Sequence, residues 1–126
     1  MSFSWKILSS DAHVVEPPDV WTTRIDRAFR DRAPRVVAEP DGDWWMIDGT
    51  RGNSFQGGAQ AGVRFEDQGR LRPAARFAEV RRGAYDPGEF LRENAEDGIH
   101  GSVIYPTAGL QVFRVPDLTL LSAACR

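Results

Sequence analysis

Histidine, cysteine and long apolar runs are all scarce in this sequence. Of its 126 residues, two are histidine and one is cysteine. The lone Cys125 excludes an internal disulfide and a zinc cluster built on thiolates. With no histidine near it in sequence, it is also a poor catalytic thiol. No apolar run approaches the roughly 20 residues of a membrane-spanning helix. Neither charge is in clear excess: 16 basic side chains face 18 acidic ones, for a formal charge of -2. That balance leaves no basic footprint for nucleic acid or an anionic membrane. The opening MSFSWKILSS lacks the basic region and apolar core of a secretory signal. A single globular domain with a cytoplasmic location is the expectation that remains, and the length is ordinary for one domain.

What is present begins with a short strand over 6–11 (KILSSD), too brief for a helix. Glu16-Pro17-Pro18-Asp19 ends it, because prolines fix φ and donate no hydrogen bond. Asp19 is placed to cap a short helix over 20–25. A charged helical turn follows over 26–32 and stops ahead of Pro34. Two strand-like runs, 35–40 (RVVAEP) and 44–48 (WWMID), flank Asp41-Gly42, a strong hairpin signal, and Asp48-Gly49 offers a second turn. Residues 52–69 show little periodicity and read as a long loop; 74–82 read as helical. Asp86-Pro87 opens a helix with proline at its first position and Glu89 in its first turn. It runs to about Asp97 and stops at Gly98. Residues 101–105 (GSVIY) form a buried strand broken by Pro106, a loop passes through Gly109, and 116–125 starts another helix. Two core strands joined through a helix imply parallel pairing.

Chemistry concentrates in SDAHVVEPPDVW, residues 10–21. Residues two apart on a strand point to one side, so Asp11 and His13 can offer a carboxylate oxygen and an imidazole nitrogen to one cation. Zinc accepts both ligand types, and catalytic zinc sites commonly keep about three protein ligands and a water. In α/β folds such sites gather where strands end and loops begin. The plainer alternative has Asp11 capping a turn and His13 hydrogen-bonded within a packed loop.

SSDAHVVEPPDVW, then RDRAPRVV, then DGIHGSVIYPTAGL together resemble the N-terminal part of the amidohydrolase superfamily. The resemblance is to the branch of metal-dependent hydrolases related to aminocarboxymuconate-semialdehyde decarboxylase and γ-resorcylate decarboxylase. It covers nearly the whole chain and is weakest over 52–69. It implies an α/β fold, a partial (β/α)8 TIM barrel made of the first two βα units, with residues 1–126 its N-terminal portion and a hairpin and loop insertion at about 35–72. It implies that Asp11 and His13 ligate a divalent metal, zinc first and manganese or iron as alternatives. Tyr105, Pro106 and Thr107 match the end of the second strand, so Tyr105 and Thr107 are expected to line the substrate pocket. Glu16 is expected either to join them there or to serve the turn alone.

The family takes further histidines from the fifth and sixth strands and an aspartate from the eighth. No residue here matches those positions. His100, the remaining histidine, is expected at the surface or in the turn before the second strand, at the other end from the ligands. A full barrel needs roughly 250 residues, so the expectation is an N-terminal fragment or truncated member, with no catalytic residue of its own and a weakly held metal. The parent reaction would be hydrolysis or non-oxidative decarboxylation of a small carboxylated substrate. An uncovered strand edge also points to a homo-oligomer or a complementing chain. The rival expectation is a non-catalytic protein–protein interaction domain derived from a barrel N-terminus.

Three other features carry less. Alternation sends Trp44 and Trp45 to opposite faces, so one at most can reach a pocket, while Trp21 is expected to pack its turn onto the barrel. Arg70, Arg72, Arg76, Arg81 and Arg82 read as a solvated helix face. Gly57-Gly58 lacks the preceding strand and following lysine of a phosphate loop.

Overall fold

A computed structural model describes residues 5–64 and 66–126. Strand β1 (Ile7–Val14) runs past the expected 6–11, so Asp11 and His13 lie within it. Pro17 and Pro18 end the strand, and helix α1 (Val20–Arg24) follows. Asp19 precedes α1, but its side chain makes no cap bond; its backbone carbonyl instead accepts the Thr22 and Thr23 hydroxyls at 3.2 and 2.7 Å. Arg27–Arg32 is a 3-10 helix whose first turn is held by Asp26, the carboxylate accepting the Ala28 N–H at 3.0 Å.

Strands β2 (Arg35–Glu39), β3 (Gly42–Ile47) and β4 (Thr50–Ser54) form an antiparallel sheet in that order. Between β3 and β4, Asp48 and Gly49 have φ of 46° and 78°, the pair of positive values that a tight type I′ hairpin requires. The expected loop over 52–69 therefore begins inside β4 and also contains a helical turn, α2 (Gln56–Ala59), and a 3-10 turn, Gln68–Arg70. The sequence TRGNS has no apolar alternation, so β4 exists through its pairing with β3 rather than its own propensity.

The helix expected over 74–82 does not form. Two 3-10 turns, Phe77–Glu79 and Arg82–Ala84, stand in its place. The reason is local competition for backbone groups. Ser54 Oγ both donates to the Ala75 carbonyl and accepts its N–H, each at 2.9 Å. The Asp43 N–H donates to the Ala75 carbonyl at 3.1 Å, and the Asp43 carboxylate accepts the Phe77 N–H at 2.9 Å. The segment is thus tied to the small sheet. Arg70, Arg72, Arg76, Arg81 and Arg82 are solvated as expected but share no helix face; each pairs with an acid, respectively Asp67, Glu79, Asp43, Glu93 and Asp86.

Helix α3 (Pro87–Glu96) forms as its sequence dictates, with the Asp86 carboxylate accepting the Glu89 N–H at 3.0 Å. Strand β5 (Ile99–Pro106) begins earlier than expected and takes in His100. Two short helices follow: α4 (Gly109–Val112), where a loop was expected, and α5 (Leu118–Ala124). Strands β1 and β5 pair in parallel, with Ala12 opposite Ile104, His13 opposite Tyr105 and Val14 opposite Pro106. The architecture is mixed α/β, a parallel pair of strands beside a three-stranded antiparallel sheet.

Two apolar clusters hold these parts together. One gathers Ile25, Ala33, Ile47, Val112, Val115, Leu120 and Ala123; the other gathers Trp45, Phe55, Val80 and Ala108. Trp21 packs against both and donates its indole N–H to the Ala124 carbonyl at 2.8 Å. A run of ring contacts continues from Trp21 through Trp45, Phe55 and Phe77 to Tyr85, with centroids 4.9 to 5.8 Å apart. The two faces of β3 separate as alternation requires. Trp45 is 2% exposed, whereas Trp44 lies beneath the Arg51 guanidinium at 3.6 Å.

At the surface, Arg32 joins three elements. It donates to both Asp48 oxygens at 2.9 and 3.0 Å, and to Asp117, the residue ahead of α5, at 2.8 Å. Asp48 is held below the ordinary aspartate range by the hydrogen bond from Arg32, and Asp117 by the same donor and by the Leu120 and Thr119 amides.

Two predictions follow from this packing. Trp45→Ala should lower unfolding free energy by about 3–5 kcal/mol, and Trp44→Ala by about 1 kcal/mol or less, in urea titrations; equal losses would remove the two-faced reading of β3. The second concerns acid. Carboxyls with lowered folded values bind fewer protons than in the unfolded chain, so their stabilisation is complete above the ordinary aspartate value and is lost as pH falls through the lowered one. Urea midpoints of the native chain and Arg32→Met should therefore differ at about pH 6, and the gap should shrink progressively as pH falls below the ordinary aspartate value. A gap that stays constant would show that Arg32 acts without these carboxylates.

Candidate metal centre

Asp11 and His13 stand two residues apart on β1, and their side chains meet: His13 Nε2 lies 3.5 Å from Asp11 Oδ1. Both are open to solvent, with side-chain exposures of 75% for Asp11 and 49% for His13. Parallel pairing with β5 sets Tyr105 opposite His13, ring centroids 6.0 Å apart. Ser10, Asp11, His13, Tyr105 and Leu110 line a shallow depression of about 330 Å³. Ser10 and Leu110 carried no distinguishing signal in the sequence; they reach the depression through the strand pairing and the turn of α4.

The second nitrogen of His13 has its own neighbour. Nδ1 lies 3.5 Å from the Thr107 hydroxyl, at the long limit of a hydrogen bond. The Thr107 backbone is fixed in turn by Glu16. One Glu16 oxygen accepts the N–H groups of Thr107 and Gly109 at 3.1 and 2.7 Å, and the other accepts that of Ala108 at 2.9 Å. An ionised carboxylate taking three amide protons is a strong, geometrically restrictive arrangement. It draws the loop after β5 onto the turn after β1. Ala108, buried at the centre of the loop, packs into the cluster of Trp45 and Phe55. Glu16 does not line the depression; its oxygens face the backbone of 107–109.

The residues present fit a divalent cation as a partial site. Two donors bound at about 2.0–2.1 Å in tetrahedral geometry sit roughly 3.4 Å apart, and the observed Oδ1–Nε2 separation is 3.5 Å. An oxygen and an imidazole nitrogen are an ordinary zinc donor pair. Among the described residues, no group of three or more His, Cys, Asp and Glu side chains comes together to hold a metal. His100 adds no third donor: it lies within β5 rather than before it, and lines a cavity of about 650 Å³ between the strand pair and α3, with Val14, Tyr85, Phe90 and Ile104.

The chain is similar in structure to an amidohydrolase from Mycobacterium avium subsp. paratuberculosis K-10, with a TM-score of 0.67 and 18% identity. The match covers 98% of this chain and 36% of that one. No protein-family model matches the chain, and no curated protein does. The likeness is one of fold: the chain has the architecture of part of that protein and spans about a third of its length. Among the described residues, no helix is long and apolar enough to cross a membrane.

Gly109 tests the loop anchor. A Cβ there would lie 2.8 Å from the Pro106 Cβ and 3.2 Å from a Glu16 oxygen, while one at Gly57 would meet nothing within 4 Å. Gly109→Ala should therefore destabilise by about 1–3 kcal/mol, as overpacking does, with Gly57→Ala as its reference in the same thermal unfolding series. Equal effects would mean that the contact between the two turns is looser than described.

Proposed function

We propose that this chain is a portion of a metal-dependent amidohydrolase, of the branch similar to aminocarboxymuconate-semialdehyde decarboxylase and γ-resorcylate decarboxylase. The reaction of the whole enzyme is hydrolysis or non-oxidative decarboxylation of a small carboxylated substrate. The observation that carries this reading is the Asp11–His13 pair: two donors 3.5 Å apart on one strand of a chain with the fold of part of an amidohydrolase.

Asp11 and His13 would hold the cation, zinc first and manganese or iron as alternatives. When bound, it supplies Lewis acidity towards a substrate carbonyl or carboxylate. Asp11 contributes a carboxylate that lowers the charge of the site. His13 has Nδ1 turned to Thr107 and Nε2 turned to Asp11, on the side where the cation would be held. Tyr105 forms one wall of the depression, where its ring can limit the approach of a planar substrate. Two donors hold a divalent ion weakly, so the chain alone is a poor catalyst, and further donors must come from outside the described residues.

A second reading is favoured by the apolar surface of the strand pair. Leu8 is 69% exposed and Val103 52%, with Ile7 and Ile104 also open, and uncovered apolar surface of this kind marks association. On that reading the chain serves as a protein–protein interaction domain, as a homo-oligomer or with a complementing chain, and the metal pair is incidental.

Native mass spectrometry with and without zinc separates the two. The metal reading expects zinc on the native chain, and its loss in both Asp11→Ala and His13→Ala while the association state is kept. Undiminished zinc in both variants would overturn it. Association that needs neither residue and takes up no metal would leave the interaction reading.

A further inference from the structure

We propose that Thr107 is a positioning residue for His13, fixing its ring orientation by partnering Nδ1 in either tautomer, and that Glu16 acts through Thr107 by holding residues 107–109 in place. The metal role of His13 rests on the reading above, but the contact with Thr107 does not.

The argument begins with what each atom can do. An ionised Asp11 can only accept hydrogen bonds, whereas a threonine hydroxyl can donate or accept at one oxygen. With Asp11 beside Nε2, the favoured neutral imidazole carries its proton on Nε2. The Thr107 hydroxyl then donates to Nδ1. With Nε2 used to hold a cation, the His13 proton would sit on Nδ1, and the same hydroxyl would accept a hydrogen bond from that N–H. Thr107 can therefore partner His13 in both forms without moving its backbone. Metal-bound histidines usually have such an outer partner, and its loss costs about 10–100-fold in affinity.

A hydroxyl is useful in this role only if its position is fixed. Thr107 follows Pro106, the last residue of β5. Its own N–H and the next two all end on the Glu16 carboxylate, at 3.1, 2.9 and 2.7 Å. Glu16 lies three residues after His13 and is itself fixed beside Pro17 and Pro18. The two turns that follow the paired strands are thus locked together, and the hydroxyl is carried to the outer nitrogen of His13. A role for Glu16 limited to substrate contact would leave this three-amide arrangement without purpose.

The test uses the full chain labelled with 15N at histidine, in mildly alkaline buffer, with tautomers read from long-range proton–nitrogen correlations. The sequence has only two histidines, so His100, remote from the pair, serves as internal reference. Without zinc, the native chain should show His13 protonated at Nε2. Asp11 still favours that tautomer in Thr107→Val, so the variant is read from ring orientation. The His13 ring-proton shifts and their NOEs to the facing Tyr105 ring should change, Thr107→Ser should restore the native pattern, and Glu16→Gln should shift them in the same direction as Thr107→Val. Titrated with zinc, the native chain should move His13 to the Nδ1-protonated form, with apparent affinity about tenfold or more lower in Thr107→Val and recovered in Thr107→Ser. A folded Thr107→Val whose zinc-free His13 signals match the native ones overturns the proposal, whatever zinc does. A His13 that responds to Thr107→Val but ignores zinc supports the positioning contact and removes the metal reading instead.

Discussion

Two strands that run in the same direction cannot be joined by a turn; the chain must cross from the end of one back to the start of the other. In this protein β1 and β5 are such a pair, and everything from residue 15 to residue 98 is the crossover. Most of the fold follows from making that excursion compact. The Val15 N–H donates to the Ala84 carbonyl at 2.8 Å, pinning the start of the excursion to the entry of α3. The β2–β3–β4 sheet fills its middle, and α3 brings the chain back along the strand pair. Trp21 then joins the two apolar clusters and reaches Ala124 in the last helix. Its ring serves packing and its N–H serves the helix end, as expected of a large aromatic with one polar handle.

The same constraint builds the candidate site. Parallel pairing brings the C-terminal ends of both strands to one side, so the turns that leave them are neighbours. His13 faces Tyr105 across the ladder because of register, and the Glu16 carboxylate can reach the amides of 107–109 because the turns are adjacent. Charge-assisted bonds of this kind suit a place where irregular backbone would otherwise leave several N–H groups in search of acceptors. Site geometry and backbone satisfaction are here one arrangement: the carboxylate that closes the loop also sets what stands beside His13.

Much of this was legible in the sequence where a local signal sufficed. Asp41-Gly42 marked its hairpin, although the turn falls one residue earlier, at 40–41, with Gly42 already in β3 opposite Glu39. Asp48-Gly49 named its turn, and Asp86-Pro87 and Gly98 bracketed a helix that forms nearly as read. The spacing of Asp11 and His13 was enough to place both side chains together. What escaped depends on distant partners. β4 is a polar run that is a strand because β3 lies beside it. The helix expected over 74–82 gives way because Asp43 and Ser54, more than twenty positions away in sequence, take its backbone groups. The turn at 109–112 is held by Glu16, which the sequence alone left between pocket and turn. No periodicity reports such bonds, since they are properties of the folded neighbourhood rather than of the segment.

The exposure of the site is the last physical consequence. A carboxylate and an imidazole as open as Asp11 and His13 interact with a cation through water-like surroundings, where a unit charge pair at 4 Å gains only about 1 kcal/mol. Affinity at two such donors must come mainly from direct coordination, and a third or fourth ligand raises it far more than any refinement of the first two. Val103 and Tyr105, which share β5 with the depression, are also uncovered, at 52% and 42% exposure. A polypeptide that covered this apolar surface would, on the proposed reading, lower the dielectric around Asp11 and His13 and place its own side chains near a cation held there. On the proposed reading, burial of the strand pair and completion of the metal site are therefore coupled, each making the other more favourable.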